Sequence, residues 1–194
     1  MDVDKLDINS LKSEFSKYKK DLLHLNEYMY KNPELGYQEV KSVDKITKLI
    51  QKHVADTKYK KFSDIPTAFT ASINKKTGKK NVAICIEYDA LPNVGHACGH
   101  NLISSIGLGA FFILSNYKKD LDYELRIVGC PAEEIIPLTY KNGGGGGKIK
   151  LLKQGVFDNT AYSVMIHPAT RNEVDPLMIA VKQIDIEYFG KAAH

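Results

Sequence analysis

Apolar residues at Leu11, Phe15, Tyr18, Leu22, Leu25 and Met29 recur every three or four positions with lysines and acids between them. This spacing predicts an amphipathic helix that Asn32-Pro33 ends. Val43, Ile46, Ile50 and Val54 repeat the period and predict a second helix. From Thr67 the pattern becomes strand-like, turns through Asn74-Lys75-Lys76-Thr77-Gly78 and resumes over Asn81 to Glu87. A hairpin is predicted, its second arm delivering Asp89 at its carboxyl end. The apolar stretch from Leu102 to Leu114 is interrupted by Ser104, Ser105, Gly107 and Gly109 and is shorter than the roughly 20 residues a bilayer demands, so it predicts a buried helix. Tyr123 to Gly129 predicts a buried strand, Lys148 to Lys153 a short helix, and Tyr162 to Ile166 a further strand. This alternation predicts the α/β class, a layered mixed sheet flanked by helices, with sites just beyond the carboxyl ends of its strands.

Composition narrows the classes. A chain of 194 residues, 43% hydrophobic and 26% charged, supports one substantial core. The net charge of +4 comes from 27 basic and 23 acidic residues, with the lysines scattered among acidic and apolar neighbours. Such a distribution is a solvated surface, so neither a nucleic acid nor a membrane is expected as partner. The cysteines Cys85, Cys98 and Cys130 are odd in number and lack the spacing of a disulfide framework, and no charged-then-apolar signal opens the chain. A reducing, cytoplasmic setting is expected.

The chemistry concentrates between Glu87 and Asn101, which holds Glu87, Asp89, His96, Cys98 and His100. Cys98 and His100 flank one glycine, so a tight loop can turn both toward one centre, and a thiolate with an imidazole suits zinc. Alone, a Cys-Gly-His is more often structural. The pair Glu133-Glu134 changes that balance, because adjacent carboxylates after a buried strand repel unless a cation or a shared proton compensates. Pro131 argues against a helix interior there. One acid can ligate metal while its neighbour moves a proton. His167 closes the apolar run Val164-Met165-Ile166 and by itself is more often a core histidine than a ligand. Cys85 and Cys130 read as small hydrophobes in strands, His24 and His53 belong to the amphipathic helices, and His96 receives no role. The tract Gly143 to Gly147 with Lys148 fails as a phosphate loop, since Asn142 stands at the first glycine and Ile149 at the magnesium-binding hydroxyl. The residues read together as a metal-dependent hydrolase.

Tyr88-Asp89-Ala90-Leu91-Pro92, Gly95-His96-Ala97-Cys98-Gly99-His100-Asn101, Pro131-Ala132-Glu133-Glu134 and Gly190-Lys191-Ala192-Ala193-His194 are familiar in combination. The chain resembles the amidohydrolase branch of the aminoacylase and carboxypeptidase zinc metallopeptidase family, from Asn32 to His194. The form ending in His100-Asn101-Leu102-Ile103 looks closest to the aminobenzoyl-glutamate hydrolase and dipeptidase-like members, many relatives carrying Asp at the place of Asn101; hippurate hydrolases are also similar. The resemblance implies a metallopeptidase catalytic domain in which Cys98, His100, Glu134 and His167 ligate two divalent metal ions, zinc or manganese. It implies Glu133 as general acid/base, Asp89 as the carboxylate supporting the metals, and His194 as a histidine that approaches substrate across a homodimer. The expected reaction is cleavage of an N-acyl or aminoacyl amino acid amide. Residues 1–186 would form the front part of the catalytic domain and 187–194 the start of a smaller lid or dimerisation domain, truncated here, so that this fragment alone is expected to be inactive. The rival expectation is a truncated, non-catalytic fragment that binds metal or a partner. Ile135 to Asn142 intervene between the acid pair and the glycine tract, a departure from the family's usual spacing.

Overall fold

The computed structural model describes residues 7–74, 80–134, 146–176, 186 and 188–191. Helix α1 (Ile8–Lys31) begins where the Asp7 carboxylate accepts from the Asn9 N–H and ends at Asn32, ahead of Pro33, and it buries the predicted stripe Tyr18, Leu22, Leu25 and Met29. Helix α2 (Val40–His53) buries Ser42, Ile46 and Ile50. Its first turn is capped from a distance: Glu34 accepts from the Lys41 and Ser42 N–H groups and from the Ser42 hydroxyl.

Strands β1 (Lys58–Phe62), β2 (Ile65–Ile73), β3 (Asn81–Glu87), β4 (Glu124–Cys130) and β5 (Thr160–Val164) form one mixed sheet in the order β1-β2-β4-β3-β5. Helices α3 (His100–Ser115) and α4 (Gly147–Lys153) complete the described elements. The predicted β2–β3 hairpin is not formed. β4 lies between those strands, antiparallel to β2 and parallel to β3, with Ile127 opposite both Ala71 and Ile84. The reason is burial: β2 and β3 are covered almost throughout, and local alternation says nothing about which strand will lie beside which. The antiparallel hairpin is β1–β2, with Lys58 opposite Ser72. β1 escapes a sequence reading because its exposed Lys-Tyr-Lys-Lys run is that of an edge strand. Of the predicted turn, residues 75–78 lie outside the described residues.

The two faces of the sheet carry different cores. Ile84, Ile86 and Ile127 pack under α1, α2 and α3 with Leu22, Ile46, Leu108 and Phe112, whereas Ala83, Cys85, Val128 and Cys130 pack against Leu151 of α4. Cys85 and Cys130 thus lie in the core as the sequence suggests. Among the described residues no helix is long and apolar enough to cross a membrane. Because β3, β4 and β5 run parallel, their carboxyl ends open on one side, where Tyr88, Pro131 and Met165 follow.

Close packing fixes this stack. A Cβ added at Gly129 of β4 would lie 2.3 Å from Cε1 of Phe69, a ring 1% exposed and unable to retreat. Gly129→Ala is therefore expected to lower the unfolding free energy by about 1–3 kcal/mol. Urea denaturation checks it, with Gly190→Ala, where nothing among the described residues lies within 4 Å, as the neutral control.

Candidate metal centre

Glu87 ends β3, and the chain turns through Asp89 into a loop shaped by Gly95 (φ 79°) and Gly99 (φ 78°), both in the left-handed region that favours glycine. Gly99 is the N-cap of α3, so His100 enters the helix with its ring turned back toward the sheet. Asp89 Oδ1 lies 2.9 Å from His100 Nδ1, and Asp89 Oδ2 accepts from the Glu134 N–H at 2.9 Å. One buried carboxylate thus joins the loop after β3 to the acid pair after β4.

With Nδ1 engaged by Asp89, Nε2 of His100 faces the carboxylates. It lies 3.3 Å from Glu87 Oε2, 3.5 Å from Glu134 Oε1 and 3.8 Å from Glu133 Oε2. His100 is 1% exposed, and Nε2 has no hydrogen-bond partner among the described residues. A buried ring nitrogen left without a partner costs about 1–3 kcal/mol. Burial alone would lower the His100 pKa, but the hydrogen bond to Asp89 and the charges of Asp89, Glu87 and Glu134 carry it above its ordinary value. The site therefore calls for positive charge at Nε2, which a divalent cation supplies. Zinc bonds of about 2.0–2.2 Å set neighbouring tetrahedral ligands roughly 3.3–3.6 Å apart. The spacings from Nε2 to Glu87 and Glu134 match that interval, so the donor set fits a metal ion. Glu87, His100 and Glu133 present ligand atoms all within 4.8 Å of one another.

Cys98 joins the same corner. A hydrogen bond with Glu134, then burial and the charges of Glu134 and Glu133, push its thiol up to about 11. Glu133 is exposed, its side chain 40% accessible, and its carboxyl is raised first by partial desolvation and then by the Glu87 charge, with Lys148 opposing. His167 is exposed, with Nδ1 2.7 Å from the Pro168 carbonyl oxygen. Its segment does reach the loop: a Cβ on Gly99 would lie 2.8 Å from Pro168 Cγ. The imidazole is not among the groups drawn together around His100. His194, the third expected catalytic residue, lies outside the described residues, as do Ile135 to Asn142.

Two participants escape sequence reasoning. Glu87 carries no role in its motif, although an acid ending an apolar strand two residues before Asp89 is a usable signal. Lys148 falls with the failed phosphate loop, yet its ammonium pairs with Glu87 Oε1 and stands 4.0 Å from Glu133 Oε1. Gly147 makes that approach possible: its N–H donates to the Pro131 carbonyl at 3.0 Å, where a Cβ would come within 2.2 Å of that oxygen. His96, also without a role in the sequence reading, is buried with neither ring nitrogen hydrogen-bonded among the described residues, and its pKa is lowered by burial and by His100.

Known proteins resemble the chain over nearly its whole length. It is 33% identical over 181 residues to a Xaa-Arg dipeptidase of Mus musculus, covering 88% of this chain and 40% of that protein. It is 27% identical over 186 residues to a p-aminobenzoyl-glutamate hydrolase polypeptide of Escherichia coli, covering 86% of this chain and 36% of that protein. A dinuclear metal-binding peptidase of the M20 family from Bacillus subtilis shares the fold with a TM-score of 0.62 and 24% identity, over 78% of this chain and 42% of its own. No family model matches. The chain thus spans about two fifths of the length of these relatives.

The Cys98 thiol offers a check on the electrostatics. In metal-free protein a pKa of about 11 leaves about 0.1% thiolate at pH 8, so iodoacetamide labelling of Cys98 is expected to be slow and to rise about tenfold per pH unit up to about pH 10. Glu134→Gln removes the largest cause and is expected to shift that profile toward lower pH. Peptide mapping by mass spectrometry reads Cys98 separately from Cys85 and Cys130; a plateau below pH 9 in the unaltered protein contradicts the assignment.

Proposed function

We propose that this chain, which belongs to the amidohydrolase branch of the aminoacylase and carboxypeptidase metallopeptidase family, builds the metal-holding part of an enzyme that hydrolyses amide bonds of N-acyl or aminoacyl amino acids. The observation that carries this reading is the buried Nε2 of His100, without a hydrogen-bond partner among the described residues and facing the carboxylates of Glu87, Glu133 and Glu134. Cys98, His100, Glu134 and His167 are the residues proposed to hold two divalent ions, zinc or manganese. Such ions, when bound, polarise a substrate carbonyl and acidify water.

The remaining steps belong to the side chains. Asp89 fixes the His100 ring by its Nδ1 and holds Glu134 by its backbone, so both donors keep their aim. Glu133 has the freedom its neighbour lacks: it is exposed, whereas Glu134 is partly buried and tied to Asp89 through its N–H. Its raised pKa suits a group that accepts a proton from the attacking water and returns it to the leaving amine nitrogen. The substrate class follows the relatives, a dipeptidase and an aminobenzoyl-glutamate hydrolase. His194 is proposed to approach substrate from residues 187–194, the start of a smaller domain, in a homodimer. The free thiols Cys85, Cys98 and Cys130 suit a reducing, cytoplasmic setting.

The test is hydrolysis of dipeptides, hippurate and aminobenzoyl-glutamate by this chain and by a polypeptide extended to the length of its relatives, with zinc or manganese supplied. Glu133→Gln in an active form is expected to keep its metal and to lose about a hundredfold to ten-thousandfold in turnover. Near-normal turnover in that variant removes Glu133 from the role, and inactivity of the extended protein on every amide removes the reading.

A further inference from the structure

Glu87 is the last residue of β3, and its side chain is 1% exposed. A carboxylate that deep needs compensation at both oxygens. Lys148 pairs with Oε1. Oε2 lies 3.3 Å from His100 Nε2, which is itself without a hydrogen-bond partner among the described residues. With Nδ1 donating to Asp89, a neutral His100 ring turns a lone pair toward that oxygen, and two acceptors so placed repel unless a positive charge lies between them. Glu134 Oε1, 3.5 Å from the same nitrogen, aggravates the repulsion.

We infer that Glu87 contributes a ligand oxygen, Oε2, to the divalent ion held by His100, and that Lys148 is a positioning residue that pins Oε1 so that only Oε2 is presented. The inference rests on the metal-dependent reading above and adds to the ligand set. The backbone is built for it. Gly146 and Gly147 let the start of α4 press against Ala132 and Pro131, closer than any side chain would permit, and this brings Lys148 over the end of β3. Ser104 Oγ donates to the Glu87 carbonyl at 2.6 Å and fixes the strand end from the opposite side. The lysine also offsets part of the charge gathered by Glu87, Asp89, Glu133 and Glu134, so the carboxylates can remain together when the site is loading or losing metal.

The test is cobalt(II) binding by titration calorimetry and visible absorption, on the unaltered protein and on Glu87→Gln, Glu87→Asp, Lys148→Met and the double variant Glu87→Gln/Lys148→Met. Circular dichroism melts accompany each. The double variant removes both charges together and leaves no unpaired buried ion, so it separates ligand loss from misfolding; Glu87→Asp keeps the charge and withdraws the oxygen by one methylene. Both Glu87 single variants and the double variant are expected to weaken cobalt at least about tenfold and to alter its d–d band, and Lys148→Met to weaken it less, within the roughly 10–100-fold range of residues that support a ligand. Cobalt affinity and spectrum unchanged in Glu87→Gln and in the double variant overturn the inference while the metal centre stands. An unaltered protein that binds no cobalt overturns the metal centre and this inference with it.

Discussion

Both oxygens of Asp89 are committed, one to the His100 ring and the other to the backbone of Glu134, and the arrangement of the whole site depends on that double use. A side chain at the end of β3 thereby sets the rotation of a residue in the first turn of α3 and the position of the chain leaving β4. Asp89 can do this because β3 and β4 are parallel and in register, Glu87 opposite Cys130, so the two strands release their following residues at the same height. An antiparallel pairing would send them to opposite ends of the sheet. The fold's contribution to chemistry is thus geometric: parallel strands collect acids, and one acid ties the collection together.

Gathering Glu87, Asp89, Glu133 and Glu134 around one imidazole is costly in a protein without compensating charge. Three responses are visible. His100 is raised in pKa, Glu133 is raised by burial and the neighbouring Glu87 charge, and Lys148 pairs with the most deeply buried of the three acids facing Nε2. Each is a partial answer in protons or ammonium to a demand that a divalent ion meets more fully. The Cys98 thiol, pushed up by Glu134, follows the same logic, since a thiol that holds its proton in the presence of carboxylates releases it to a cation.

Much of this is legible in the sequence. Helices α1 and α2 appear where the periodicity places them because each buries one stripe, α3 appears over the largely apolar stretch from Leu102 to Leu114, and α4 over the short segment from Lys148 to Lys153. Strand identity is also legible, but pairing is not: the alternation of Thr67 to Ile73 and of Asn81 to Glu87 is compatible with any neighbour, and β4 arrives much later in the chain to separate them. At the site, Asp89, His100, Glu133 and Glu134 come together from motifs that stand out in the sequence alone. Glu87 and Lys148 do not stand out for one reason, that their roles depend on each other and on the close backbone approach at Gly147, which no local pattern encodes. His167 illustrates the opposite case, a residue singled out by its strand-end position whose segment meets the loop at Gly99 while its ring bonds to Pro168.

The aim of Glu133 is settled further away than any ligand. Ala132, immediately before it, has φ of 54°, a left-handed conformation unusual for a residue with a Cβ. What holds it is Glu39, fully buried at the start of α2: Oε1 accepts from the Ala132 N–H at 2.8 Å and Oε2 from the Thr67 hydroxyl at 2.7 Å. Burial raises the Glu39 pKa while these hydrogen bonds oppose the rise, so the acid is kept where its acceptors are needed by the backbone and not by a metal. The strain at Ala132 bends the chain just after β4, and that bend lets Glu133 stand exposed while Glu134 is drawn back by Asp89. Two adjacent glutamates acquire different surroundings from a single buried acid at the N-cap of α2. The difference between their surroundings therefore originates at Glu39, the N-cap of α2, which supplies no atom to the cluster around His100.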